Sequence, residues 1–126
     1  VNIKEWYFEG GIKTAAGKCR IVPIHERIKP FVHAWIDKGT TYLLTYEGKK
    51  FSQANYYKCW DEVMEKIGVD KTPHEARHTF ETNLDNAKGN RKCIDMLMGH
   101  KSKDVGNRVY NHKTIQQLRD TIALLK

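Results

Sequence analysis

The sequence predicts an α+β fold that is mainly helical and opens with a small antiparallel β-sheet. Three observations carry that prediction. Residues 2–8 and 18–24 read as strands, rich in β formers. Past Pro23 the apolar residues recur at three and four positions, as on one face of a helix. Capping residues or terminal glycines mark the ends of most helical stretches. A chain of 126 residues has room for one core, so it reads as a single domain over residues 1–126.

Asn2 to Phe8 forms the first strand and Glu9-Gly10-Gly11 breaks it; Lys18 to Ile24 resumes the pattern. Between them Ile12-Lys13-Thr14 leads into Ala15-Ala16-Gly17, whose glycine can take the positive φ of a reversal, so Lys13 belongs to a hairpin tip or flank. Ile28, Phe31, Val32, Trp35 and Ile36 outline a first helix, with Pro30 in its first turn and Gly39 as its stop. Tyr42-Leu43-Leu44 then precedes a polar loop, Glu47-Gly48-Lys49-Lys50. Ser52 caps a second helix whose stripe of Tyr56, Cys59, Trp60, Val63 and Ile67 ends at Gly68. Both helices read as scaffold.

Thr72-Pro73-His74-Glu75 announces a third helix, with Thr72 as cap, Pro73 at the first helical position and Glu75 completing a capping box. Ala76, Phe80 and Leu84 form its expected core face. After a break over residues 86–90, Ile94, Leu97 and Met98 face inward from a short helix ended by Gly99, with His100 just beyond. A last helix repeats the capping logic at Thr114 and Gln117, and carries Ile115, Leu118, Ile122 and Leu125 in one stripe.

Composition narrows the function. No apolar run approaches the roughly 20 residues that span a bilayer, and Lys4, Glu5 and Glu9 make the opening segment unlike the uninterrupted apolar core of a signal peptide. Three distant cysteines, Cys19, Cys59 and Cys93, fit neither a disulfide framework nor a zinc ribbon, and they suit a reducing, cytoplasmic setting. The formal net charge of +7 favours a polyanion, with nucleic acid as the leading partner.

Two chemical readings compete for one segment. His74-Glu75-Ala76-Arg77-His78 satisfies the His-Glu-x-x-His pattern of a zinc metallopeptidase. Such a site needs a third ligand, yet no glutamate follows Glu81, Leu84 stands where an extended motif wants histidine, and Asp85, Asp95 or Asp104 would have to serve. The other reading pairs His74 with Arg77 on the opening turns of the helix. There an imidazole, a guanidinium and exposed backbone N–H groups make a phosphate site.

The second reading gains from its company: Thr-Pro-His-Glu-Ala-Arg-His-Thr-Phe at 72–80, Leu-Met-Gly-His at 97–100 and Val-Tyr-Asn-His at 109–112, preceded by the 12–14 hairpin and Arg20-Ile21-Val22-Pro23-Ile24. In order and spacing these resemble the tyrosine recombinase, or phage integrase, family over nearly the whole chain. The resemblance implies a mainly helical catalytic domain with its small sheet at one edge, and a site-specific recombinase that cuts and rejoins double-stranded DNA without cofactor or metal. It implies Tyr110 as nucleophile forming a 3′-phosphotyrosyl bond, Arg77 stabilising the transition state, Lys13 as general acid, and His74 and His100 bonding the phosphate and moving protons. Lys18 is the competitor for the lysine role. His78 and His112 match no catalytic slot and read as structural or DNA-proximal.

The chain also departs from the pattern. No Leu-Arg-x-x-Glu helix start supplies the family's upstream arginine, because Arg20, Arg27, Arg91, Arg108 and Arg119 stand in other contexts. The expectation is a catalytic-domain piece, lacking that helix and the amino-terminal DNA clamp, that is weak or inactive alone. The ten positions from His100 to Tyr110 exceed the spacing of some members by one. An apolar stripe on the closing segment also allows exchange between copies in a DNA-bound tetramer through the 114–126 helix. Two other classes remain beside the bacterial or phage-encoded recombinase: the zinc hydrolase, and a basic DNA-binding module without catalysis. Relaxation in the manner of type IB topoisomerases is a variant of the first.

Overall fold

A computed structural model describes residues 1–11, 20–100 and 112–126. Its elements run β1 (Tyr7–Glu9), β2 (Ile21–Pro23), a 3₁₀ turn (Glu26–Ile28), α1 (Lys29–Ile36), β3 (Thr45–Tyr46), β4 (Lys49–Lys50), α2 (Gln53–Ile67), α3 (Pro73–Asn86), α4 (Arg91–Met98) and α5 (His112–Ile122). The mainly helical α+β expectation stands, with two small antiparallel sheets among the described residues. No described helix is long and apolar enough to cross a membrane. The chain divides into two compact units, residues 1–27 with 80–126 and residues 28–79, the division falling inside α3.

In the first unit β1 and β2 pair antiparallel, with Tyr7 opposite Pro23, Phe8 opposite Val22 and Glu9 opposite Ile21. The first strand is shorter than the alternation predicts, because residues 2–6 turn back on themselves through an Asn2–Tyr7 bridge. Leu84, Cys93, Ile94, Leu97, Met98, Leu118 and Ile122 make the core, and Val22, Phe80 and Leu125 pack on it. The stripe of the last helix thus closes this unit's own core. That helix begins at His112, so Thr114 lies inside it and is not its cap. On α3, Leu84 is buried and Phe80 partly so, whereas Ala76 is exposed and leaves the expected core face. Asn90 caps α4 by accepting from the Cys93 N–H, a role the sequence reading left to a plain break.

In the second unit Pro30 occupies the first turn of α1 and Ser52 caps α2 by accepting the Asn55 N–H, as predicted. Gly68 ends α2 in the left-handed conformation at φ 66°. The scaffold expectation for the apolar faces is corrected. Val32 is buried, but Phe31 is 61% exposed, and Ile28, Trp35, Tyr56, Val63 and Ile67 are exposed as well. The 47–50 loop is a two-residue hairpin: Glu47 and Gly48 both take positive φ, 49° and 75°, and bring Thr45 opposite Lys50. Two successive left-handed residues give the turn whose twist matches paired strands, and glutamate at its first position hides it from sequence reading.

Candidate active site

A row of aromatic rings leads to the start of α3. Tyr46 lies 6.1 Å from Phe51, Phe51 meets Tyr56 edge-on at 6.3 Å, and Tyr56 lies 6.2 Å from Trp60. Trp60 Nε1 then donates to the Lys71 carbonyl at 2.6 Å, tying α2 to the residue before the cap. The Thr72 N–H donates to Glu75 Oε2 at 2.9 Å and the Glu75 N–H donates to Thr72 Oγ1 at 3.3 Å, which is a complete capping box. Lys71 Nζ donates to the other carboxylate oxygen at 2.9 Å. The Thr72 backbone hydrogen bond, then Lys71, then the Thr72 hydroxyl lower the Glu75 pKa to about 2, and Glu75 in turn raises that of Lys71.

That box presents His74 and Arg77 on the opening turns of α3, His74 exposed and Arg77 half-buried. The His74 ring meets His78 edge-on at 4.5 Å. The same box removes support from the peptidase reading, because a water-activating glutamate needs a carboxylate directed at a metal. Both oxygens of Glu75 are instead spent on Thr72 and Lys71.

His100 lies in the other unit, immediately behind the left-handed Gly99 at φ 69° that ends α4. Its backbone N–H donates to the Asp95 carbonyl at 3.0 Å, and Arg20 Nη1 donates to the Met98 carbonyl at 3.1 Å, so the turn carrying His100 is fixed from two sides. Its imidazole faces acids: Nδ1 is 3.6 Å from Asp95 Oδ1 and 4.0 Å from Glu81 Oε1. Glu81, Asp95 and His100 offer ligand atoms within 4.8 Å of one another. A cation of the chain already serves them, for Arg91 Nη2 bonds Glu81 Oε1 at 2.7 Å and Asp95 Oδ1 at 2.8 Å. Those bonds, Glu81's first, raise the Arg91 pKa above its ordinary value.

Lys13, its competitor Lys18, and Tyr110 lie outside the described residues. Glu81 and Arg91 are site neighbours that sequence reading missed, and Asp95 entered it only as a spare zinc ligand. Arg91 and Asp95 are visible as an i,i+4 pair on a capped helix, whereas the approach of Glu81 from α3 is tertiary and leaves no local trace.

A model described as the phage integrase family matches residues 2–117. The chain is similar to tyrosine recombinase XerD of Halalkalibacterium halodurans, 25% identical over 84% of this chain and 39% of that protein. It is similar to tyrosine recombinase XerA of Thermococcus kodakarensis, 28% identical over 81% of this chain and 38% of that protein. Tyrosine recombinase XerC of Pelotomaculum thermopropionicum is 32% identical over 60% of this chain and 25% of that protein. The chain therefore spans less than half the length of these relatives. No solved structure matches it.

Proposed function

This chain belongs to the phage integrase family, and from that premise we propose that it is catalytic-domain sequence of a site-specific DNA recombinase working on double-stranded DNA in the cytoplasm. Tyr110 attacks the scissile phosphate, its oxygen bonds to phosphorus, and the bond from phosphorus to the 5′ oxygen breaks. Lys13 gives that leaving oxygen its proton. The 3′-phosphotyrosyl bond stores the energy of the broken phosphodiester, so rejoining needs no nucleotide.

A phenol with a pKa near 10 is a poor nucleophile at neutral pH until cations and a base surround it. Arg77, His74 and His100 supply that environment and offset the charge that develops on the phosphorane. A well-placed donor of this kind is worth about 3 to 4 kcal/mol in the transition state. The observation that carries the reading is the family match over residues 2–117, a span that contains all five of these residues. The charge of +7 agrees with a phosphate-rich partner. Assembly as a tetramer on DNA belongs to the same proposal. Exchange of the 114–126 helix between copies would trade the core contacts of Leu118 and Ile122.

The test uses the protein as its gene encodes it and nicked duplexes selected from a random-sequence pool by binding. A denaturation-resistant protein–DNA adduct is expected, lost in Tyr110→Phe and reduced about 10²-fold or more in Arg77→Ala. An adduct that persists in Tyr110→Phe overturns the nucleophile assignment. Stoichiometric zinc that is lost in His78→Ala would return the segment to the peptidase reading.

A further inference from the structure

His100 meets a charge network that phosphate binding alone does not call for. Asp95 Oδ1 and Glu81 Oε1 stand 3.6 and 4.0 Å from its Nδ1. Arg91 Nη2 grips the same two oxygens at 2.8 and 2.7 Å, so carboxylates from α3 and α4 are held in one arrangement. Two carboxylates against one guanidinium leave a negative charge on the Nδ1 side of the ring, and Asp85, 3.7 Å from Arg91 Nη1, adds to it. Carboxylate oxygens only accept, so they favour the imidazole form with hydrogen on Nδ1.

We propose that Glu81 and Asp95, held in register by Arg91, are positioning residues that fix the Nδ1–H tautomer of His100 and make its Nε2 a proton acceptor. The inference rests on His100 belonging to the strand-transfer site. At 3.6 Å the Asp95 contact is longer than a formed hydrogen bond, as catalytic contacts often are before substrate fills the site. In the cleavage step Nε2 takes the proton of the attacking tyrosine hydroxyl as its oxygen bonds to phosphorus and the bond to the 5′ oxygen breaks. The imidazolium so formed lies against the two carboxylates and returns the proton when the strand is rejoined. An aspartate behind a histidine plays the same part in serine hydrolases, where loss of the correct tautomer costs about 10⁴ in rate.

Long-range ¹H–¹⁵N spectra of the labelled chain, above the titration range of imidazole and with His100 assigned through His100→Gln, read the tautomer directly. Hydrogen on Nδ1 is expected in the parent protein, with a shift toward the Nε2–H form in Glu81→Gln/Asp95→Asn. An Nε2–H form in the parent, or an unchanged tautomer in the folded double variant, overturns the proposal. Should the double variant unfold, the parent spectrum and Asp95→Asn alone decide. Adduct formation on the selected nicked duplexes adds a second readout. The double variant is expected to react about 10²-fold more slowly with a displaced rate–pH profile and unchanged DNA binding. An equal loss of binding and rate shows a merely structural role and overturns the proposal. Because the tautomer is read without DNA, a parent that shows Nδ1–H but forms no adduct counts against the recombinase reading instead.

Discussion

The Glu75 carboxylate accepts the Thr72 backbone N–H at 2.9 Å while the Thr72 hydroxyl accepts the Glu75 N–H at 3.3 Å. This reciprocal pair, with Lys71 on the second oxygen, sets the helix turn that carries His74 and Arg77. It also makes the stability of that turn depend on pH. The Glu75 pKa is lowered from its ordinary value of 4.5 to about 2 in the folded chain. A depressed carboxylate stabilises the fold above its unfolded pKa, and that contribution is lost as pH falls through the folded value. Thermal melting of the parent is therefore expected to decline more steeply between pH 4.5 and about 2 than melting of Glu75→Gln. Parallel curves would show the pair to be inert. Solvent screening at this exposed site keeps the effect small. Thr72→Ala, which removes the hydroxyl half of the box, is expected to cost about 1 kcal/mol at neutral pH.

Gly89 is required by closeness rather than by φ. A Cβ there would stand 2.9 Å from the Leu84 carbonyl oxygen, 3.3 Å from Ile94 Cδ1 and 3.4 Å from Thr121 Cγ2. The nearest of these is backbone, and its oxygen also accepts the Gly89 N–H at 2.9 Å, so it cannot yield without loosening the end of α3. Gly89→Ala is expected to lower stability by about 1 to 3 kcal/mol, read as a lower urea midpoint with an unchanged slope. An unchanged midpoint would mean that the α3–α4 connection relaxes freely.

Leu118 is fully buried in the core with Leu84 and Ile94. Leu118→Ala is expected to cost about 2 to 5 kcal/mol in chemical denaturation. The same measurement asks whether α5 is exchanged between copies. If its stripe closes the core of its own chain, the loss is independent of protein concentration, whereas a swapped helix makes stability rise with concentration.

Much of this architecture was legible because its signals are local. Ser52, Thr72 with Glu75, Gly68 and Gly99 each act on backbone groups within four residues, so residue type and spacing were enough to place them. The chemical motifs at 72–80 and 97–100 were legible for the same reason. What escaped is tertiary. Spacing shows that Phe31, Val63 and Ile67 share helix faces, but it carries no information on what covers those faces, and they are exposed. Ala76 failed similarly, since the first turns of α3 present it to solvent. The acids around His100 come together from α3 and α4, and no period in the sequence encodes that meeting.

Arg20, the residue before β2, donates to the Met98 carbonyl, 78 residues later, at 3.1 Å. The last carbonyls of a helix have no partner inside it. At the end of α4 the Gly99 and His100 N–H groups satisfy Met96 and Asp95, and Arg20 satisfies Met98. The guanidinium thus anchors the turn from which His100 projects. Arg20→Met keeps an extended side chain and removes the donor. It is expected to cost about 1 to 3 kcal/mol, since a carbonyl in a half-buried setting loses a charged partner. It should also broaden the His100 imidazole signals, because the turn gains freedom. If α4 alone fixes the turn, the urea midpoint falls while the His100 spectrum stays sharp, and the anchoring role fails. Arg20→Lys, with a single point charge in place of the planar fork, is expected to recover part of the stability and less of the order.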